Sequence, residues 1–464
     1  MAQPSEHSSL PLIERWPLLH PVTWVFATLP FQWMPGAGGF SLPYVFVLLA
    51  LAFLCLSPRA IFGATWVLRA AMIWLVPYVI YLMILFVSLS GSGAQGMATR
   101  QVFFLAAFVM VAAWLASSQA PGRLVRWWAG VLIVSFLLVS EAIARSLGLS
   151  WVEAYRRFFL EGNLDFILYG FMREIFIASA GAAVDFVPAS QKNLVAGALM
   201  IAMIMFRAGF SGSDSDRLGL IMTVLLVSLL ILLNTRIVLV ALGFGMLVIW
   251  FIRFAGGQNY SLGGLLLRIF VVLFSILTLV IFFSSGTDLA EIMTERLFFA
   301  DRSTGSRMNQ YIWALQQIEQ HFFTGYGYAE LSGQPVHNIF LGAFMHAGVL
   351  AFLLVTFFYA AMVAIWGSFV MRAVRAPQEW VLPLRAEWVA ILPVLPLMRM
   401  WVSGDAGHHS IVEWTAMGVF MGLLAANKVA RGVSTSAPVG VASAPRPERA
   451  VRAPGDVLYP QKIQ

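Results

Sequence analysis

Hydrophobic residues run along this chain in long blocks rather than alternating with polar ones. Such blocks lie near Val22–Met34, Leu42–Leu56, Ala70–Leu89, Val102–Ala116, Trp127–Ile143 and Leu194–Phe206. They continue at Leu218–Leu233, Ile237–Ile252, Leu265–Phe283, Ile339–Ile365, Trp388–Leu397 and Ile411–Ala426. Alternation would predict half-buried strands or the wall of a membrane barrel, and runs such as Leu218–Leu233 and Leu265–Phe283 have none. In hydrocarbon a chain must satisfy its own backbone amides and carbonyls, which a helix does within itself. The pattern therefore predicts an all-α, polytopic integral membrane protein of about 12 transmembrane helices. Several blocks are shorter than the ~20 residues that cross a bilayer without strain, so they extend into flanking polar residues, tilt or break. Pro393 and Pro396 predict a break in the eleventh.

The polar stretches between blocks divide the chain. Residues 1–145 are expected to form N-terminal transmembrane helices, 146–191 a long outer loop, and 192–283 further membrane helices. Residues 284–336 form a second long loop, 337–432 the C-terminal membrane helices, and 433–464 a tail. In the first loop Trp151, Val152, Tyr155, Phe158 and Phe159 fall on one helical face and Glu153, Arg156 and Arg157 off it. That is the pattern of a helix lying in the membrane interface. The second loop contains a polar, helix-compatible stretch from Arg307 to Gln320. Two long loops on one face mark that face as the place for recognition or chemistry. The tail is rich in Ser, Ala, Pro and Arg without apolar periodicity and is expected to be disordered. Met1–His20 is polar and the first apolar block lacks a cleavage site, so the first helix is expected to stay as an anchor.

Composition agrees with this picture. Charged residues make up 11% of the chain and hydrophobic ones 60%, which leaves too little polar surface to cover a water-facing globule. The net charge of +7 raises the question of nucleic acid, but the basic residues sit between apolar runs and form no single basic face. They flank membrane spans. With a cytoplasmic N-terminus the inner loops hold Arg59, Arg69, Arg123, Arg126, Arg207, Arg217, Arg253, Arg372, Arg375 and Arg385, with Lys428 and Arg431 in the tail. The short outer loops hold little beyond Arg100, Arg236 and Arg399, so both termini are expected inside. Cys55, the single cysteine, excludes an intrachain disulfide framework and a cysteine metal cluster.

Ionisable residues at the outer ends of spans are costly near hydrocarbon without a partner or a task. Lys192 and Asn193 open the sixth span, and Arg236 sits in the tight turn before the eighth. Arg302 and Arg307 lie in the second loop, and His337 and Asn338 open the tenth span. Arg399, Asp405, His408, His409 and Glu413 surround the last outer turn. All are expected at the same outer leaflet. Each also has a plainer reading. Arg236 could snorkel to headgroups, His337 and Asn338 could cap a helix, and Asp405, His408 and His409 could decorate a hairpin tip. Their spacing matches no metal-ligand motif. Glu141 and Arg145, one turn apart, are accounted for by a local ion pair.

Around the second loop the order of residues becomes specific. Gly305-Ser306-Arg307 leads into a helix containing Trp313, then Phe323-Thr324-Gly325-Tyr326-Gly327, then His337-Asn338-Ile339-Phe340-Leu341, then Gly348. This resembles the O-antigen ligase and polymerase family of bacterial envelope glycosyltransferases. Thr235-Arg236 is similar to that family's Ser-Arg motif, and the resemblance runs from about Lys192 to about Leu354. Thr235 stands for Ser and Phe323 departs from the apolar-proline rhythm, but neither change removes a charged group. Arg307 rather than Arg302 has the family's spacing before Trp313.

The resemblance implies a GT-C-like membrane enzyme of the bacterial inner membrane with its active site facing the periplasm. It implies transfer of a glycan from an undecaprenyl-diphosphate-linked donor to a hydroxyl acceptor, either lipid A core or a growing glycan. No metal or other cofactor and no nucleic-acid partner is implied. His337, Arg236 and Arg307 take the catalytic roles, and Arg302, Lys192, Asn193, Asn338, Asp405 and Arg399 bind substrate. A polymerase of the same superfamily, a protein O-oligosaccharyltransferase and a transporter remain as alternatives. The transporter would need charges at mid-depth and internal symmetry, and the sequence shows neither.

Overall fold

The computed structural model describes residues 16–31, 42–88, 92–146, 150, 152–153, 156, 160–161, 191–209, 219–227, 230, 236–255, 302–327, 336, 338–402 and 411–436. Among the described residues all regular structure is helical. The first helices are α1 (Pro21–Thr28), α2 (Leu42–Cys55), α3 (Pro58–Ser88), α4 (Ser92–Ser117), α5 (Pro121–Ser146) and α6 (Gln191–Gly209). They are followed by α7 (Arg236–Ala255), α8 (Arg302–Gln320), α9 (Ile339–Arg375), α10 (Ala386–Val389), α11 (Val394–Val402) and α12 (Ile411–Ser436). Proline stands first in α1, α3 and α5, where its missing N–H costs nothing. Basic residues stand in the last turns of α5, α6, α7 and α9, where they face the negative helix end.

Five of the described helices contain stretches long and apolar enough to cross a membrane: Pro58–Val87, Thr99–Ser117, Pro121–Leu138, Ile237–Ala255 and Ile339–Arg375. Ile73, Met83, Val134, Leu247 and Leu353 are exposed on the outside of the bundle, as side chains that face lipid must be. The expected span Leu265–Phe283 lies outside the described residues, as do residues 218, 228–229 and 231–233 of the expected span Leu218–Leu233. Helix α3 begins well before the expected boundary at Ala70, so Arg59 and Arg69 lie within it rather than in a loop. Its 31 residues extend about 46 Å at ~1.5 Å per residue, more than the ~30 Å hydrocarbon core. The first turns can therefore project beyond the membrane with their arginines. In the first long loop Arg156 bonds both oxygens of Glu153, at 2.9 and 2.6 Å, and lies 3.5 Å from Glu161. Val152 is exposed, and Trp151, Tyr155, Phe158 and Phe159 of the expected apolar face lie outside the described residues.

Helices α4 and α12 make the most extensive pairing among the described helices. Gly418 and Gly422 lie one turn apart on α12, and a Cβ at either would sit 2.9 Å from Phe108 O or 2.8 Å from Ala112 O on α4. Small residues at this spacing let two backbones touch, which is how helices associate where lipid removes the hydrophobic drive. On the other side of α4, a Cβ at Gly63 of α3 would meet Ala113 O at 2.5 Å.

Two spans are interrupted. Helix α9 breaks at Ala347 and Gly348, where Gly348 adopts φ 74°, ψ −164°. The eleventh span breaks between α10 and α11, as Pro393 and Pro396 predicted. There the Trp366 indole donates to Ala390 O at 2.7 Å and the Tyr359 hydroxyl to Leu397 O at 3.3 Å. Side chains of α9 thus bond carbonyls of the broken span.

The basic residues expected on the inside gather at one end of the bundle. Arg207 stacks over Trp388 at 5.1 Å, Arg253 pairs with Glu387 at 2.9 Å, and Arg431 pairs with Glu379 at 2.9 Å. Lys428 lies 4.5 Å from the Trp66 ring, and Arg385 N bonds Ala208 O at 3.0 Å. Glu141 and Arg145 form the expected pair at 2.7 Å.

Gly422→Leu should destabilise the protein in detergent by about 1–3 kcal/mol, because the added side chain meets α4 backbone. Gly130→Ala should be neutral or slightly stabilising, since Gly130 has open space around it. Thermal unfolding of the two purified variants checks this. Equal midpoints would mean that the α4–α12 contact does not need glycine.

Candidate functional site

The site is best built from Asn338, the residue before α9. Its Oδ1 accepts from Phe340 N at 2.9 Å and Leu341 N at 3.1 Å, so it caps the helix. Its Nδ2 donates to Trp401 O at 3.0 Å, near the end of α11. One amide thereby fastens the start of α9 to the end of α11. The capping reading of Asn338 is what the structure shows, with a tertiary bond added. His337, immediately before it, lies outside the described residues.

Two residues before Trp401, Arg399 turns toward the first turn of α12. Its guanidinium lies 2.5 Å from the Glu413 carboxylate, and both residues are buried, at 8% and 2% exposure. The sequence placed these two in one group without pairing them. Across from them is α6, where a Cβ at Gly197 would lie 3.8 Å from Arg399 Nη1. Asn193 stands one turn before Gly197 on the same face of α6, with Lys192 beside it.

Arg236 is the first residue of α7. This helix runs antiparallel to the broken span: Arg253 pairs with Glu387, and a Cβ at Gly245 would touch Ile391 at 3.3 Å. Nine residues back from Gly245 is Arg236, and nine on from Ile391 is Met400, so both stretches run toward the same end of the bundle. The start of α7 is therefore at the same end as Arg399.

Helix α8 begins at Arg302, earlier than the expected Arg307, so the backbones of both arginines are helical. Ala314, Val336 and Met345 form a small core with Tyr311, Trp313, Tyr326 and Leu341 packed on it, and this core holds α8 against the first part of α9. The segment after α8 then docks on the break in α9. Tyr326 N and Gly327 N donate to Met345 O at 2.7 and 3.2 Å, and Val349 N donates to Phe322 O at 3.0 Å. Gly325 and Gly348 have φ of 73° and 74° and face each other closely. A Cβ on Gly325 would lie 2.6 Å from Gly348 N, and one on Gly348 would run into Phe323 O. Both glycines are needed twice over, for their positive φ and for the approach of two backbones.

Lys192, Asn193, Arg236, Asn338, Arg399 and Glu413 thus belong to helix ends that meet at one end of the bundle, with α8 beside them. Asp405, His408 and His409 lie outside the described residues. Among the described residues no three His, Cys, Asp or Glu side chains gather as metal ligands would. Sequence reasoning passed over a polar contact in the interior: the Tyr81 hydroxyl lies 3.4 Å from Nδ1 of His346, just before the break in α9. Nearby, Tyr78 donates to Gln101 Oε1 at 2.8 Å. A histidine within an otherwise apolar run was the available signal.

Residues 221–356 match the family model described as O-antigen ligase. The matched stretch contains Arg236, Arg302, Arg307, His337, Asn338, Gly325 and Gly348, and stops short of Arg399. No curated protein matches the chain. Over this stretch, less than a third of its length, the chain is similar to that O-antigen ligase family.

Proposed function

We propose that this protein is an O-antigen ligase-type enzyme that moves a glycan from undecaprenyl diphosphate to a hydroxyl of lipid A core. The observation that supports it most is the meeting of four chain segments at one end of the bundle. These are the starts of α6 and α7, the Asn338-capped start of α9, and the Arg399–Glu413 pair, with the family-matched α8 alongside. In this reading both termini are cytoplasmic, and this end faces the periplasm of the inner membrane.

The reaction is a direct displacement with inversion. The acceptor hydroxyl oxygen forms a bond to the anomeric carbon as the bond from that carbon to the diphosphate oxygen breaks. The hydroxyl proton passes to the His337 imidazole, and undecaprenyl diphosphate leaves with the bonding electrons. Arg236 and Arg307 hold the diphosphate, because guanidinium groups grip phosphate oxygens bidentately and stay charged when partly desolvated. Lys192, Asn193 and Arg302 extend the substrate cradle. Arg399 enters with its charge already paired to Glu413, so it shapes the floor and contributes little net charge. Asp405 orients His337 or the acceptor.

A polymerase of the same family would use the same residues, and the lipopolysaccharide of a deletion strain separates the two. Ligase predicts a core without attached O-antigen and an accumulation of lipid-linked polymer. A core bearing a single repeat unit would replace this reading with polymerase.

Arg236→Ala and Arg307→Ala should each abolish transfer in membranes while the protein still inserts. The lysine variants should restore little, since an ammonium cannot reproduce the bidentate fork. Near-normal transfer by either alanine variant would make that arginine a snorkelling residue.

His337→Ala should lose about 10²–10⁴-fold in rate, the usual cost of removing a general base, while still binding the lipid-linked donor. His408→Ala and His409→Ala should lose far less. The wild-type rate should fall on the acid side, where the imidazole is protonated and cannot accept a proton. If His337→Ala binds donor poorly but turns over normally at saturation, His337 is a binding residue and the base lies elsewhere.

A further inference from the structure

We propose that the groove between α3, α9 and α12, at the end of the bundle away from the candidate site, binds an anionic phospholipid. The groove encloses about 640 Å³. Its walls are apolar, with Trp66, Phe369, Ala373 and Leu424 among them, and its rim carries Arg372, Lys428 and Arg431 against Glu379. Glu379 is already held by Arg431 at 2.9 Å, so Arg372 and Lys428 supply the groove's excess positive charge. Lys428 rests over the Trp66 ring at 4.5 Å, which fixes an ammonium above an apolar slot.

One wall is built deliberately. Asn427 donates to Glu379 O at 2.9 Å and accepts from Val381 N at 2.8 Å, which holds the 377–382 segment against α12. The groove is therefore a formed feature of the fold. A basic rim over an apolar slot between membrane helices matches a phosphate headgroup above acyl chains. A zwitterionic lipid would leave the excess positive charge unanswered. The chain's own residues 437–464 fit worse still, since Arg446, Arg449, Arg452 and Lys462 outweigh Glu448 and Asp456, four against two. A lipid-linked donor bound at the Asn338 end would be remote, because Val349–Arg375 alone extends about 40 Å at ~1.5 Å per residue. The assignment to the inner leaflet rests on the proposed orientation, whereas lipid binding itself is read without measuring transfer.

The test is native mass spectrometry of the purified full chain with dioleoyl phosphatidylglycerol or dioleoyl phosphatidylcholine. The wild type should retain phosphatidylglycerol at collision energies that strip phosphatidylcholine. Arg372→Ala with Lys428→Ala should weaken that binding roughly 30-fold, from two basic contacts to an anionic lipid. Arg123→Ala, a basic residue at the same end outside the groove, should leave it unchanged. Ala373→Phe, which narrows the slot without altering charge, should also weaken it, and gel filtration confirms that each variant is folded. Equal retention of the two lipids, or a folded double variant that holds phosphatidylglycerol like the wild type, would overturn the proposal. So would complete displacement of phosphatidylglycerol by millimolar inorganic phosphate, which would show a simple anion site.

Discussion

A backbone amide that leaves a helix inside hydrocarbon must find another partner, and this constraint shapes the bundle around its two broken spans. Helix α9 breaks at Ala347–Gly348, and the 321–327 segment lies against the break with three backbone hydrogen bonds. The span before α12 breaks at 390–393, and Trp366 and Tyr359 of α9 donate to its carbonyls. Asn338 serves the first two free amides it can reach and a carbonyl of α11 as well. These repairs are also tertiary contacts. They tie α8, α9 and α11 together, so the irregular backbone that a packed helix bundle would avoid becomes part of its framework.

The second constraint is charge. Burying Arg399 and Glu413 costs several kcal/mol of lost hydration for each ion, and close pairing offsets that cost without making the pair a large source of stability. Removing one partner is a different matter, costing about 3–5 kcal/mol, because the other charge is left alone. Glu413 lies in the first turn of α12, where the helix dipole favours an anion. The pair therefore works as a locator: α11 and α12 have one relative position in which both charges are satisfied. Because Arg399 is neutralised in this way, the proposed grip on a diphosphate falls to Arg236, the first residue of α7, and Arg307, in the second turn of α8.

Much of this was legible in the sequence, and the gaps have physical causes. The apolar blocks located α2, α4, α5, α6, α7 and α12 to within a few residues at their starts or ends, because burial in lipid leaves a run that hydropathy reads directly. Prolines revealed the break before α11. The true start of α3 was hidden by Arg59 and Arg69, which look like loop residues but can snorkel from a long helix. The sequence grouped Arg399 with Glu413 because both lie near one turn, but it could not show that they touch. The contact between Tyr81 and His346 joins α3 to α9 across the chain and leaves no periodic mark. Gly325 and Gly348 were visible as motif letters, and only the structure shows that a Cβ on Gly325 would meet the backbone of Ala347 and Gly348, and one on Gly348 that of Phe323 and Thr324.

Glycine does the same work at two close contacts, between α4 and α12 and between the 321–327 segment and α9. In each case two backbones meet with no side chain between them, so neither contact can shift without a clash. The first contact runs along regular helices and fixes the bundle. The second lies at a break and fixes the family-matched segment upon it. Helix α9 links the two regions: its start carries Asn338, its middle carries the break and the donors to the broken span, and its end carries Arg372 at the opposite face. The basic end is closed by ordinary ion pairs to the short segment around Glu379 and Glu387, and the other end has the break in α9 and the buried charge pair. A bundle polarised in this way can hold a chemically distinct site at one membrane surface while its other surface simply anchors it in the lipid.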